Sequence, residues 1–279
     1  MYGKYGQADK VRRVKEEGRD SGHDIDESVR RLVAASATGI PCNPVREHLG
    51  SVNLEAAYLV QCEVNRQRIQ RGGRTVGRKI GLTSASVQRQ LGVSQPDFGT
   101  LFADMWYDTG DAIATARLLQ PRVEAEVAFV LGADLVDGPM DLDQIRGSIE
   151  SVTAALEVCD CRIIDWDISF SDTVADNAAA GLFVLGQTRR TLREVEPRSV
   201  TMSMMIDGQE VATGTGRDCM RDPLNAVVWL ARTARTLGDP LRSGEVILSG
   251  ALGPMADVQP GTRVTCYVSG LGSVSTRFY

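Results

Sequence analysis

Strand-like segments crowd the second half of this chain, and they constrain its fold more than any other feature. The segments are short apolar or alternating runs with turn residues between them: VEAEVAFVL, LEVCDCRII, GLFVLG, MSMMIDGQEVAT, EVILSG and RVTCYVSG. Asp207-Gly208 is typical of a two-residue hairpin turn. One helix, from Asp222-Pro223 to Leu237, interrupts the series. Because the strands cluster instead of alternating with helices, we predict an α+β domain with mixed or antiparallel sheets.

The chain divides into three parts by composition. Residues 1–23 are rich in charge and poor in apolar side chains, so they cannot offset the entropy of ordering, and we expect a mobile charged extension. Residues 24–75 carry two helical patterns, one with Val29 and Leu32 on a single face and one after Asn53. The strand-rich domain then occupies residues 76–279.

Charge and hydropathy exclude several classes of partner. A formal net charge of −5 provides no broad basic field for nucleic acid or an anionic membrane, which favours a small molecule as the partner. No apolar run approaches the roughly 18 residues that a spanning helix needs, and the polar start lacks the apolar stretch of a signal peptide. We therefore expect a cytoplasmic protein whose six cysteines are free thiols, the pair Cys159-x-Cys161 included.

Several kinds of active site are missing from the sequence. Its two histidines, His23 and His48, lie early in the chain, and no GxSxG nucleophile motif exists. The segment from Gly214 to Cys219 fails the dinucleotide pattern, and there is no phosphate-binding P-loop. With so few imidazoles, oxygen atoms are the credible metal ligands, and oxygen ligands favour Mg²⁺ or Mn²⁺.

The segment PRVEAEVAFVLG places two carboxylates on one face of a strand. Side chains alternate along a strand, so Glu124 and Glu126 point the same way. Two neighbouring negative charges in apolar surroundings are simplest to explain by a bound cation, although an exposed edge strand is the alternative. Glu157 lies in another apolar run, which fits either a strand or an amphipathic helix. If the three converge, they supply three oxygen ligands and leave positions open for substrate and water.

A second candidate group surrounds Lys79. In TVGRKIGLTS, Lys79 shares a strand face with Gly77 and Gly81, which makes a functional lysine preferable to a solvated one. The segment SQPDFGTLFADM is interpreted as a shaped loop that can line a pocket, after a short helix from Ser84 to Leu91.

The loop SGALGP, from Ser249 to Pro254, offers backbone donors and a small hydroxyl group. Ser249, Gly250 and Leu252 are therefore candidate substrate-binding residues, with a plain strand-ending turn as the alternative. Asn177, before GLFVLG, is left undecided.

Six segments together resemble one family: GRKIGLTS, LGVSQPDFGTLFADM, QPRVEAEVAFVLG, ALEVCDCRI, DNAAAGLFVLG and EVILSGALGPM. The chain resembles the 2-hydroxypenta-2,4-dienoate (2-keto-4-pentenoate) hydratases, with the related 4-oxalocrotonate decarboxylases, of the fumarylacetoacetate hydrolase superfamily. The resemblance covers about residues 24–279. It implies a fumarylacetoacetate-hydrolase-like, β-rich catalytic domain with Glu124, Glu126 and Glu157 as ligands of Mg²⁺ or Mn²⁺. It also implies that Lys79 is an acid/base with Asp97 near it, and that the protein is a homo-oligomer.

The activity that the resemblance implies is a metal-dependent hydro-lyase of aromatic meta-cleavage degradation. Water would add to 2-hydroxypenta-2,4-dienoate or a close relative, through a metal-held 2-oxo-3-enoate, to give a 4-hydroxy-2-oxo acid. The first alternative is decarboxylation of a 4-oxalocrotonate-type dioate, for which Arg78, Arg122 and Arg162 are available as distal cations. The second is a catalytically silent subunit beside a pathway aldolase or decarboxylase. Carbon–carbon hydrolysis is disfavoured, because His48 does not match the histidine–acid pair expected of such hydrolases.

Overall fold

The computed structural model describes residues 19–84, 88–89 and 92–279. Most of the expected extension, and part of the short helix expected from Ser84 to Leu91, therefore lie outside the described residues. The first helix begins before the expected boundary at Asp24. The described α-helices are α1 (Arg19–Thr38), α2 (Arg46–Leu49), α3 (Leu54–Gln70), α4 (Leu142–Ser148), α5 (Phe170–Ala175) and α6 (Pro223–Thr236).

The strands lie between and after these helices. In chain order they are β1 (Thr75–Gly81), β2 (Asp97–Phe102), β3 (Trp106–Asp108), β4 (Ala112–Ile113), β5 (Pro121–Leu131), β6 (Ile149–Asp160), β7 (Ala180–Leu185), β8 (Thr201–Ile206), β9 (Gln209–Thr215), β10 (Val246–Ala251), β11 (Ala256–Asp257), β12 (Arg263–Val268) and β13 (Gly272–Phe278).

Within the described residues, the strands form two mixed sheets. The larger has the order β2-β1-β10-β5-β6-β7-β3, with β11 also paired to β5, and the smaller has the order β4-β13-β12-β8-β9. Most pairs are antiparallel, but β1–β10, β3–β7 and β4–β13 are parallel. β12 and β13 pack against β6, and α6 packs against β10. The α+β class with mixed sheets is confirmed.

Local chemistry accounts for the elements that the sequence indicated. The Asn53 side chain accepts a hydrogen bond from the Ala56 amide and caps α3, while Asp222 caps α6 with Pro223 in its first turn. Asp207 and Gly208 both have positive φ, as a two-residue turn between twisted strands requires, and they join β8 to β9.

Two predictions about elements are corrected or settled. The segment interpreted as a pocket-lining loop contains the fully buried strand β2, which pairs with β1; Pro96 and Gly99 gave it the look of a loop. The ambiguous run around Glu157 is a strand, β6, which directly follows the short helix α4.

The N-terminal helices share a core with a later part of the chain. Ile25, Leu32 and Val60 pack in one buried cluster with Cys161 and Phe170, which follow β6. Among the described helices, none has the length and apolar character that crossing a membrane requires. The helical part therefore supports the segment between β6 and β7, which reaches the site described next.

Candidate metal centre

Three glutamates converge on one face of the larger sheet. β5 and β6 run antiparallel with Glu124 directly opposite Glu157, and Glu126 follows two residues later on the same face of β5. The relative exposures of these residues are 5%, 0% and 1% for Glu124, Glu126 and Glu157. All three glutamates thus lie buried on one face of the sheet, and the exposed edge strand is excluded.

The carboxylates are poorly compensated by the protein alone. Burial and the neighbouring charge of Glu157 raise the pKa of Glu124 to about 7, and burial with both neighbouring carboxylates raises the pKa of Glu126 well above its usual range. Among the described residues, no donor hydrogen-bonds Oε1 of Glu126 or Oε2 of Glu157, and Oε1 of Glu157 has only an ion pair with Lys79. Buried oxygens without donors are costly, and a divalent cation would satisfy them. The donor set therefore fits a hard metal ion.

A thiol also lies in this cluster. Ligand atoms of Glu124, Glu157 and Cys159 lie within 4.8 Å of one another, a group that leaves out Glu126. The Cys159 thiol lies 3.7 Å from Oε1 of Glu124, and burial together with Glu124 raises its pKa well above the usual value. A protonated thiol is a poor ligand for a hard cation. The Oε1 atom of Glu126 is thus a better third donor than Cys159, although the alternation of a strand places Cys159 on the same face as Glu157.

Lys79 faces these carboxylates from β1. Its Nζ lies 3.0 Å from Oε1 of Glu157 and donates to the Ala178 carbonyl at 2.9 Å. Burial alone would lower the pKa of Lys79, but Glu157 and other nearby acidic groups outweigh it, and the pKa is raised well above the usual value. The surrounding acids therefore favour the ammonium form of this amine.

Asp97 stands across from Gly81 in the β1–β2 pair. Its Oδ2 accepts a hydrogen bond from the Thr173 hydroxyl at 2.9 Å, while Oδ1 has no donor among the described residues. Burial raises the pKa of Asp97, against the opposing influence of Lys79. A Cβ at Gly81 would overlap Oδ1, so the bare backbone beside Lys79 makes room for this carboxylate.

The SGALGP loop meets the site through one backbone amide. Gly250 donates to Oε2 of Glu126 at 2.7 Å, and its φ of +106° and close packing against Thr83 leave no room for a side chain. The Ser249 hydroxyl hydrogen-bonds the Gly250 carbonyl, while Leu252 is fully buried and its amide donates to Ala125. The substrate-binding role of these residues stays a prediction.

The three arginines considered for a dioate are all paired. Arg78 contacts Asp239 at 2.6 Å on the opposite face of β1, and Arg122 pairs with the exposed Asp257 at 3.0 Å. Arg162 is enclosed by Asp176 and backbone carbonyls. Each of the three is therefore already paired with an acid of this chain.

His48, the histidine that could not be matched to a hydrolytic pair, lies in α2. Its Nδ1 is 3.5 Å from Oδ1 of Asp24 in α1.

The carbonyl that holds Lys79 belongs to a segment the sequence left undecided. Asn177, Ala178 and Ala179 form one short left-handed turn, with φ near +53° throughout. No glycine or turn motif marks this segment, and alanine is uncommon in the left-handed conformation. Asn177 was therefore the only signal in the sequence, and a weak one.

A β-rich α+β domain with a buried cluster of carboxylates and one lysine defines an enzyme of the metal-assisted class. Residues 74–279 match the family model described as fumarylacetoacetate (FAA) hydrolase C-terminal. The chain belongs to this family.

Curated relatives narrow the comparison. The chain is 47% identical over 253 residues to a 2-keto-4-pentenoate hydratase of Paraburkholderia xenovorans (strain LB400), covering 91% of this chain and 94% of that protein. It is 49% identical over 248 residues to a TodF product hydratase of Pseudomonas putida, covering 88% and 92%. Among solved structures, 4-oxalocrotonate decarboxylase from Pseudomonas putida G7, complexed with magnesium and adipate, superposes with a TM-score of 0.88 at 30% identity over 92% of this chain and 98% of that one.

Proposed function

We propose that this chain is a hydro-lyase that adds water to 2-hydroxypenta-2,4-dienoate or a close 2-hydroxy-2,4-dienoate, giving a 4-hydroxy-2-oxo acid. The observation that carries the proposal is the buried face on which Lys79 lies 3.0 Å from Oε1 of Glu157, beside Oε1 of Glu126 and Oε2 of Glu157, which no donor of the described residues hydrogen-bonds. Relatives named as hydratases at 47% identity support the choice of reaction.

Glu124, Glu126 and Glu157 would hold Mg²⁺ or Mn²⁺ in this proposal. When bound, the cation supplies Lewis-acid stabilisation for negative charge on the C2 oxygen of the substrate. Support comes from Oε1 of Glu126 and Oε2 of Glu157, which no donor of the described residues hydrogen-bonds, and from the magnesium complex of the 30%-identical decarboxylase.

Lys79 is the proposed proton carrier. Ketonisation of the dienol removes the proton of the C2 hydroxyl and places a proton on C5, leaving a 2-oxo-3-enoate whose C4 is electrophilic. Water then forms the C4–O bond, and a proton is added at C3. Glu157 and the Ala178 carbonyl hold the Nζ of Lys79. From there it can exchange protons with a substrate atom bound near the carboxylates.

Asp97 and the Gly250 amide complete the proposed site. The free Oδ1 of Asp97 can accept a proton or orient the attacking water, because Thr173 occupies only Oδ2. The Gly250 amide fixes Glu126 so that its Oε1 stays directed away from the loop. Because the carboxylates are nearly completely buried, a substrate bound against them would be kept away from bulk water.

The arginine pairs favour hydration over decarboxylation. A dioate has a second carboxylate that requires an available cation, whereas Arg78, Arg122 and Arg162 are each paired with an acid of this chain. A substrate with a short uncharged tail is therefore the better match. We further propose a cytoplasmic homo-oligomer, in keeping with the charge and the family.

Turnover of two substrates tests the proposal. The protein with Mg²⁺ is mixed with fresh 2-hydroxypenta-2,4-dienoate or with 4-oxalocrotonate, with and without EDTA, and the dienol absorbance, carbon dioxide and product mass are followed. We expect EDTA-sensitive gain of one water by the dienoate. Carbon dioxide release from the dioate alone would replace hydration with decarboxylation. Inertness toward both would favour the catalytically silent subunit.

A further inference from the structure

The segment between α5 and β7 contains a strained turn next to the candidate site. Asn177, Ala178 and Ala179 have φ values of 54°, 53° and 52°. Left-handed conformation is disfavoured for residues with a Cβ, and three in succession are rarer than one. Strain of this kind persists only where surrounding contacts impose it, and it concentrates at functional sites.

Arg162 clamps the turn at both ends. Its Nε donates to the Asp176 carboxylate and its Nη2 donates to the Asp176 carbonyl, just before the turn. Its Nη1 donates to the Ala180 carbonyl, just after the turn, and to the backbone carbonyl of Asp160 at the end of β6. A planar guanidinium with several donors can hold these groups together, whereas an ammonium cannot.

Asn177 fastens the turn to β2. Its Oδ1 accepts from the Thr100 amide at 2.8 Å, and its Nδ2 donates to the Thr100 carbonyl at 2.9 Å. Asn65 of α3 donates to the same Oδ1 at 3.2 Å. The turn also lies so close to β2 that a Cβ at Gly99 would overlap the Asn177 carbonyl. Contacts from β6, β2 and α3 therefore fix one backbone conformation.

This backbone conformation sets the direction of the Ala178 carbonyl group. Ala178 O accepts from Nζ of Lys79 at 2.9 Å, opposite the Glu157 carboxylate at 3.0 Å. We propose that the left-handed turn Asn177–Ala179, locked by Arg162, Asp176 and Asn177, is a positioning device that sets where the Lys79 amine stands. This inference rests on the proposed function for its kinetic consequence, but its geometric claim concerns the amine alone.

The Lys79 amine needs more than one fixed contact to occupy a single position. A long lysine side chain has several rotatable bonds, so a single ion pair with Glu157 leaves the amine free to pivot. A second, fixed acceptor defines its position, and small displacements of a reacting group lower turnover strongly. The three locking residues should accordingly affect turnover through Lys79 without contacting the substrate.

Asn177→Ala tests the lock, with Ser148→Ala as a matched control. Ser148 loses a buried side-chain hydrogen bond to the Ile145 carbonyl in α4, away from the turn. Protein carrying ¹³C-labelled lysine has four lysines, and loss of one ε-methylene NMR signal in Lys79→Arg assigns Lys79. The signal is recorded in the metal-free full chain, and kcat, KM and Mg²⁺ affinity are then measured on the dienoate.

In Asn177→Ala we expect the Lys79 signal to shift or broaden and kcat to fall by about tenfold or more, with KM and Mg²⁺ affinity within about twofold of wild type. Ser148→Ala should change none of these. An unchanged Lys79 signal in a folded Asn177→Ala protein would overturn the positioning role, whatever happens to kcat. So would a displaced signal with wild-type kcat.

Asn65→Ala gives the same two measurements if Asn177→Ala does not fold, because it removes the Asn65 contacts to Asn177 and the Thr100 hydroxyl and leaves the Asn177–Thr100 backbone contacts in place. The NMR measurement needs no turnover. If the wild-type protein fails to hydrate the dienoate, the proposed function is rejected. The Lys79 NMR signal of the variants still decides whether the turn positions the amine.

Discussion

Lys79 is the only lysine after Lys15, so arginine supplies every other permanent cation of the strand-rich domain. An amine can exchange its proton in a catalytic cycle, whereas a guanidinium in a protein does not. The single exception to the use of arginine stands where the carboxylates converge. This choice of residue supports a chemical role that charge compensation alone would not require.

Replacing Lys79 separates charge from proton transfer. Lys79→Ala should lower turnover of the dienoate by about 10²–10⁴-fold, because a positioned acid/base contributes that much. Mg²⁺ affinity should stay unchanged or improve, since the ammonium competes with a cation for Glu157. Lys79→Arg keeps the charge and serves as the control. Wild-type turnover in either variant would remove Lys79 from the mechanism.

The metal-free carboxylates should make stability depend on pH. The pKa of Glu124 is raised to about 7 from its usual 4.5, so the folded protein binds more protons than the unfolded chain between these values. Stability without metal should therefore fall as the pH rises through this window, and Glu126, whose pKa is also raised, adds to the fall. The measurement is the thermal midpoint in EDTA from about pH 5 to pH 8.

Two variants control this experiment. Glu124→Gln should make the fall smaller, whereas Glu150→Gln, at an exposed glutamate near the start of β6, should leave it unchanged. Added Mg²⁺ should restore the most stability at the high-pH end, where the carboxylates are ionised. A midpoint that rises with pH in EDTA, or a Glu124→Gln protein with the wild-type slope, would contradict the electrostatic account.

At the scale of elements, the sequence was most informative where local chemistry decides. Asn53, Asp222 and the Asp207-Gly208 turn fixed helix and hairpin boundaries from within a few residues. β2 was missed because its burial comes from pairing with β1 and from contact with the later Asn177 turn. The left-handed turn could not be foreseen either, since residues distant in sequence impose it.

Two glycines of β1 should respond differently to one added methyl group. In Gly77→Ala the Cβ would overlap the Val246 carbonyl of the paired strand β10, and we expect a loss of about 1–3 kcal/mol or more of stability. In Gly81→Ala the overlap is with the Asp97 side chain, which can rotate away, so activity should fall more than stability.

Gly147→Ala in α4 is the matched control, since its Cβ would meet nothing within 4 Å. It should stabilise the protein by about 0.5–1 kcal/mol through helix propensity. Thermal unfolding and dienoate turnover of the three variants check this set. Equal loss of stability in Gly77→Ala and Gly81→Ala would show that the bare backbone at residue 81 serves packing alone.

At the scale of the whole molecule, the helical N-terminal part and the sheet domain meet at the site. α3 reaches across to β2 and the turn through Asn65 and Gln61, which donates to the Phe98 and Val174 carbonyls. Composition alone separated the two parts at residue 75, because a sequence shows the pattern of each element and not the contacts between distant ones. The site therefore depends on both cores.

A homo-oligomer is expected from the family, and the surface is compatible with one. Met205 and Tyr267 are 41% and 54% exposed on the smaller sheet, where apolar groups gain from burial. Light scattering on the purified full chain should give a multiple of 30.2 kDa. A mass of 30.2 kDa at micromolar concentration would show that the protein is a monomer and that one chain forms the fold and the site.

The central claim is that Glu124, Glu126 and Glu157 together hold the catalytic cation. Anomalous diffraction from crystals of the full chain grown with Mn²⁺ tests it most directly, because the metal is located independently of any activity. We predict one strong peak within bonding distance of all three carboxylates, lost in Glu126→Gln or Glu157→Gln. A peak bonded to Cys159 in place of Glu126, or no peak on this face of the sheet, would contradict the account.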